Sequence, residues 1–356
     1  MTSPRTFTSG VLDPRKRGQE FGEACRERVA ETVDGYRRLF GRAEAGARCA
    51  SPAELATLGG QALDRIDAWA PSLGEEIRGL AEGAALPVTD LAVLNARTEI
   101  LAWLGRTGTE CSVVVALGEP EVEPVAAQNW DWYAGLAGGW LVWEIPHPDG
   151  RRTVTLTEYG IVGKIGINSR GVGCLLNILH HEVDGVGMGV PVHVAARRML
   201  DEAASVPEAL ALLDTAVMSA SSSLTVVGGR RPGKAAVARE LWPGGAGDIA
   251  PDPDGLLLHT NHFLSAPAAE GDTGPATSPD TLDRFEALRG QLGGRGGDLR
   301  AAEVMGVLRD HDGGLCRHPD PALPPEHEVQ TLASVLIDFA AGELRVVEGP
   351  PCAGGG

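Results

Sequence analysis

The run Glu110-Cys111-Ser112-Val113-Val114-Val115-Ala116-Leu117 joins a Gly/Thr-rich loop, Arg106-Thr107-Gly108-Thr109, to an unbroken apolar segment, and it divides the chain in two. Before it, apolar residues recur with helical spacing; after it, the period shortens toward two. A cysteine at such a junction has the form of an N-terminal nucleophile before cleavage. If the chain cuts itself at Glu110-Cys111, the new terminus carries a thiol and a free α-amine, so one residue supplies both nucleophile and base.

Upstream, Ser51-Pro52-Ala53-Glu54 combines a capping-box pattern with proline at the first helical position. Leu55, Leu58, Leu63 and Ile66 continue that helix, and amphipathic spacing predicts two more over 73–81 and 91–100. Downstream, strands are expected over 140–145 and 153–157, around the turn His147-Pro148-Asp149-Gly150, with a second hairpin at Asn168-Ser169-Arg170-Gly171. Helices return over 192–202 and after Ser205, and late strands are expected at 224–227, 256–259, 333–339 and 344–347. The stretch 266–279 and the glycines Gly293, Gly294, Gly296 and Gly297 read as mobile surface loops. Runs of strands flanked by runs of helices predict an α+β fold, a four-layer αββα sandwich. Residues 1–110 form its helical N-terminal segment and 111–356 its αββα catalytic segment, together one compact domain.

A chain of 356 residues with 43% apolar content can bury a large core. Its formal net charge of −17 argues against nucleic acid and against an anionic membrane surface, both of which need clustered Lys and Arg. With no apolar run of membrane-spanning length, the expected location is cytoplasmic. Six cysteines (Cys25, Cys49, Cys111, Cys174, Cys316, Cys352) are scattered without a CxxC pair, which suits neither a zinc ribbon nor a dense disulfide framework. Reduced thiols are expected.

Taken in order, Leu94-Asn95-Ala96-Arg97-Thr98-Glu99, the Cys111 junction, Gln128-Asn129-Trp130-Asp131, the segment from Gly160 to Ser169, Gly189-Val190-Pro191, His259-Thr260-Asn261-His262 and Cys316-Arg317 carry a resemblance over most of the chain. The chain resembles the acyl-coenzyme A:6-aminopenicillanic acid acyltransferase family, peptidase family C45, within the N-terminal nucleophile hydrolases. The resemblance implies the fold of that superfamily, self-cleavage between Glu110 and Cys111, and Cys111 as nucleophile. It also implies Asp131 and Arg317 as polar residues of the catalytic centre and Asn261 as the amide that stabilises an oxyanion. The residue types suit the chemistry: an α-amine titrates at roughly 7.7–8.0 and a thiol at about 8.5, so the amine can take the thiol proton without a histidine. Asp131 would orient that amine, while Arg317 would pair with Asp131 or hold a substrate carboxylate. Where the family's acyltransferase carries glycine before its nucleophile, this chain carries Glu110, which lacks access to positive φ and sets a carboxylate beside the reacting carbonyl.

The expected activity is therefore amide-bond hydrolysis or acyl transfer on a small N-acyl or aminoacyl amide through a Cys111 acyl-thioester, with hydrolysis favoured. No cofactor or metal is expected. Acyl-coenzyme A enters only as a co-substrate that the resemblance admits, and no basic cluster for its phosphates stands out. The expected partners are the small-molecule amide or acyl substrate and the two cleavage fragments holding each other, with no nucleic acid and no membrane. Two alternatives stay open. One is an uncleaved binding or scaffold protein of the same fold. The other is a zinc hydrolase using His259 and His262 or His180-His181-Glu182, against which the HExxH glutamate is absent.

Overall fold

A computed structural model describes residues 5–43, 46–106, 111–229, 234–320, 322–323 and 328–353. Ahead of Cys111 lie a short strand β1 (Thr6–Thr8) and the helices α1 (Pro14–Ala24), α2 (Arg26–Gly41), α3 (Pro52–Trp69), α4 (Pro71–Ala84), α5 (Val88–Asn95) and α6 (Arg97–Trp103). Helix α3 starts on the expected capping box: the Glu54 N–H donates to Ser51 Oγ at 3.3 Å and the Ser51 N–H to Glu54 Oε2 at 2.9 Å. The single helix expected over 91–100 is two. Asn95 turns its buried amide to the Leu91 and Gly160 carbonyls and accepts from the Val162 N–H, and the chain bends at Ala96. Helices α1 and α4 meet backbone to backbone through glycine: a Cβ on Gly79 would lie 1.8 Å from the Arg15 carbonyl oxygen, and one on Gly18 would lie 2.0 Å from that of Glu76.

From Cys111 the chain forms β2 (Cys111–Ala116), β3 (Val125–Tyr133), β4 (Trp140–Pro146), β5 (Arg152–Glu158), β6 (Ile165–Asn168) and β7 (Val172–Ile178). Helices α7 (Val192–Glu202) and α8 (Val206–Leu213) follow, then β8 (Ser222–Gly228), β9 (Ala235–Trp242), β10 (Gly245–Ile249) and β11 (Leu256–His259). The last elements are α9 (Ala266–Ala269), α10 (Gly274–Thr277), α11 (Asp280–Leu292), α12 (Ala301–Val307), β12 (Val329–Asp338) and β13 (Glu343–Glu348). Both expected hairpin turns are present, with Gly150 and Gly171 at φ of 80° and 81°. The β9–β10 hairpin was not foreseen, because charged residues interrupt its alternation. The stretch 266–279, expected as a mobile loop, instead holds α9 and α10; it is tied by the bridge His181–Asp272 and by the Asp272 carboxylate, which accepts from the Phe263 and Gly274 N–H groups.

Among the described residues the strands form an eight-stranded sheet, ordered β1-β4-β5-β6-β7-β8-β9-β10, and a five-stranded sheet, ordered β11-β2-β3-β12-β13. The sheets face each other through β2 on β7, β11 on β9, and β13 on β5 and β6. Helices α7 and α8 cover the outer face of the large sheet, and α11 and α12 that of the small one, giving the four layers of an αββα sandwich. Layers on both faces explain why β2 and β3 are buried at every position. The N-terminal helices lock onto the sheets through Phe21 against Trp143 and through Tyr36, whose hydroxyl accepts from Trp132 Nε1 at 2.8 Å. The main core draws residues from both sides of the 110/111 junction. No described helix is long and apolar enough to cross a membrane.

Candidate active site

Strand pairing brings the site together. Cys111 opens β2 opposite Trp130 of β3, and Asp131 is the next residue along β3. On the other side β11 runs antiparallel to β2 with His259 opposite Val113, so two residues further on, Asn261 comes level with Cys111. The Cys111 N–H donates to Asn261 Oδ1 at 2.7 Å. Asn261 is itself held: its Nδ2 donates to the Ile178 carbonyl at 2.8 Å, and its N–H to Thr281 Oγ1 at 2.8 Å.

Period-two alternation sorts the Gln128-Asn129-Trp130-Asp131 motif. Gln128 reaches between the sheets, donating to the Leu176 carbonyl at 2.6 Å and accepting from its N–H at 3.0 Å. Asn129 faces the outer helices and donates to the Leu308 and Leu315 carbonyls. Trp130 faces inward with the Lys164 ammonium 3.5 Å from its ring centre, and Lys164 also binds Glu158 at 2.5 Å. Burial pushes the Lys164 ammonium down to about 7. Asp131 is fully buried, and neither carboxylate oxygen has a hydrogen-bond partner among the described residues. Burial pushes it up to about 7, against the pull of the nearby Thr331 hydroxyl first and then of the Arg284 cation. Burial first, and then the Asp131 charge, push the Cys111 thiol up to about 11, so in the uncut chain it is protonated at neutral pH.

The sequence reading missed Arg284, on α11. This fully buried guanidinium donates to the Cys111 carbonyl at 2.9 Å, Ser112 Oγ at 3.1 Å and Asn261 Oδ1 at 3.1 Å, while its Nε bonds Asp280 at 3.0 Å. Asn177, also missed, donates its amide to the same Cys111 carbonyl at 3.0 Å. Nothing local marks Arg284 in the sequence, where it is one arginine on a charged helix. Lys164 did leave a signal, a lone cation in a glycine-rich apolar segment.

Of the two roles expected for Arg317, the pairing with Asp131 is not seen. Its guanidinium pairs with Asp280, not with Asp131, and Asp280 in turn pairs with Arg284, which holds the Cys111 carbonyl. Its backbone is fastened to Thr331, which lies opposite Asp131 in the sheet. Glu110, the other side of the expected cleavage bond, lies outside the described residues. Two histidines of the zinc-hydrolase alternative, His259 and His262, are engaged within the protein. His259 uses Nε2 on Glu240 at 2.9 Å and Nδ1 on the Thr260 carbonyl at 2.7 Å, leaving neither nitrogen for a metal. His262 Nδ1 lies between the Thr260 and Thr281 hydroxyls. A pocket bordered by Thr98, Leu101, Trp132, Tyr133, Ile178 and His180 opens between α6 and the ends of β3 and β7, with Arg106 on its wall.

Residues 119–352 match the family described as acyl-coenzyme A:6-aminopenicillanic acid acyl-transferase. The acyl-coenzyme A:6-aminopenicillanic-acid-acyltransferase 40 kDa form of Emericella nidulans is 29% identical over 342 residues, covering 95% of this chain and 91% of its own. Among solved structures, the N-acylethanolamine-hydrolyzing acid amidase ortholog of Caenorhabditis elegans aligns with a TM-score of 0.46 and 16% identity, over 67% of this chain and 100% of its own. Penicillin V acylase from Agrobacterium tumefaciens aligns at 0.45 and 16%, over 67% and 83%. The chain belongs to the acyl-coenzyme A:6-aminopenicillanic acid acyl-transferase family and is an enzyme of amide-bond hydrolysis or acyl transfer.

Proposed function

We propose that this chain, as a member of that family, is a self-processing cysteine amidohydrolase acting on a small N-acyl or aminoacyl amide. The observation that supports this most is the Asp131 carboxyl, buried without a hydrogen-bond partner among the described residues, one position past the strand partner of Cys111. A buried carboxylate left so is costly, and an α-ammonium created at Cys111 is the counter-charge it lacks.

In processing, Cys111 Sγ bonds to the Glu110 carbonyl carbon. The bond from that carbon to the Cys111 nitrogen breaks, and the nitrogen takes up the thiol proton. Water then cleaves the thioester, releasing the Glu110 carboxylate and restoring the thiol. In turnover the α-amine takes the thiol proton, Sγ attacks the substrate carbonyl, and the proton passes to the leaving amine. Water finally releases the acid. Asn261 has one Nδ2 hydrogen on Ile178 and a second without a partner among the described residues to meet the oxyanion, a contribution whose loss costs on the order of 10²–10³ in rate. Asp131 orients the α-amine, and Arg317 acts as a positioning residue behind Asp280 and Arg284. Hydrolysis is favoured over transfer from acyl-coenzyme A, since water is always present and the chain is acidic.

Intact mass of the denatured protein tests the reading, with Cys111→Ala alongside. Fragments 1–110 and 111–356 in the wild type alone, with turnover of N-acyl amides that alkylation abolishes and chelators leave unchanged, are the expected outcome. A wild type still uncut after days at neutral pH would instead mean an unprocessed binding protein.

A further inference from the structure

Four side chains that take no part in the Cys111 chemistry converge beside the end of the small sheet that carries Cys111. The ligating atoms of His311, Cys316, His318 and Cys352 all lie within 4.8 Å of one another. His318 Nε2 is 3.2 Å from His311 Nε2, 3.1 Å from Cys352 Sγ and 3.8 Å from Cys316 Sγ. In a tetrahedral zinc site, with zinc–nitrogen of about 2.0–2.1 Å and zinc–sulfur of about 2.3 Å, the edges are about 3.3 Å between nitrogens and about 3.6 Å from nitrogen to sulfur. The two nitrogen–sulfur separations bracket the nitrogen–sulfur edge, and the nitrogen–nitrogen separation lies close to its own. Two imidazole nitrogens facing each other with two thiols beside them, and no carboxylate in the set, form a donor group for a borderline-soft divalent ion rather than for calcium or magnesium.

The chain positions make the convergence informative. His311, Cys316 and His318 lie in the segment after α12, whereas Cys352 lies 34 residues beyond His318, in the tail after β13. Between two of the ligands sits Arg317, the residue linked through Asp280 and Arg284 to the Cys111 carbonyl. We propose that His311, Cys316, His318 and Cys352 bind one Zn²⁺ as a closed Cys₂His₂ centre that fastens the C-terminal tail to the loop carrying Arg317. Four protein ligands leave no open position, so the centre is structural. Binding releases one proton from each thiol, with both imidazoles neutral, and is weakened by acid.

The test uses the full chain, stripped by dialysis against a chelator and titrated with Zn²⁺ against a chromophoric competitor. One equivalent is expected to bind, with Co²⁺ in its place giving thiolate charge-transfer bands and the intense visible absorption of a tetrahedral site. Cys352→Ser and His318→Gln, both at surface positions, should each lower zinc affinity by more than about 100-fold, beyond what the loss of an outer-shell partner does. Cys111→Ala should keep the full equivalent, which separates this centre from metal held by the nucleophile. Unchanged affinity in Cys352→Ser, loss of zinc in Cys111→Ala, or a Cys316–Cys352 disulfide in freshly purified protein that binds no zinc would each overturn the proposal.

Discussion

Replacing Asp131 by asparagine in an uncut Cys111→Ala chain removes one buried titrating group and little else, because the two side chains are nearly the same shape. The Asp131 carboxyl is pushed from 3.8 up to about 7. At about 1.4 kcal/mol per tenfold change in proton affinity, ionising it in the folded chain costs about 4 kcal/mol. The sign follows from proton counting. Between about pH 4 and pH 7 the unfolded chain has released this proton while the folded chain still holds it, so stability falls as pH rises through that window and levels off above it. The asparagine variant has no such fall. Urea unfolding of Cys111→Ala with and without Asp131→Asn should therefore show the asparagine form ahead, by a margin that widens by about 2–3 kcal/mol between pH 5 and pH 8. Parallel stability profiles for the two proteins would refute the claim that this carboxyl waits unpaired. In processed wild type the new α-ammonium should abolish most of the fall, which ties the measurement to the proposed chemistry.

Arg284→Met should slow self-cleavage and amide turnover by on the order of 10²-fold, read by intact mass over time and by kcat/KM, because it releases the Cys111 carbonyl and Asn261 together. Glu76→Gln should lower unfolding free energy by about 3–5 kcal/mol in urea, since it leaves the buried Arg17 and Arg197 without their shared counter-charge. Gly79→Ala forces α1 and α4 apart at the Arg15 carbonyl, and a drop in Tm with loss of at least about 2 kcal/mol is expected. Ser51→Ala should cost about 1 kcal/mol through the α3 cap, leaving turnover untouched.

What could be read ahead of the structure was local. The α3 cap, the hairpins at Gly150 and Gly171, helix α7 and the change of period at Cys111 each depend on residues within a few positions, where backbone sterics and capping decide. The layered α+β architecture followed from counting those elements. Where a side chain reached across the chain to alter its own backbone, as Asn95 does toward Gly160 and Val162, the local reading failed and one expected helix became two.

Cys111, Asp131 and Asn261 were recognisable by their place in a sequence pattern, and pairing of β2 with β3 and β11 gathers them. By itself the sequence determined which residues carry reactive groups and which segments are helix or strand, because those are properties of neighbours. Only the tertiary structure decided that Arg284 rather than Arg317 touches Cys111, that Asp131 lies buried without a hydrogen-bond partner among the described residues, and that Cys352 comes back to meet His318. Each of those depends on strand register and layer packing between residues far apart in the chain, and no spacing in the sequence encodes the resulting distance or burial.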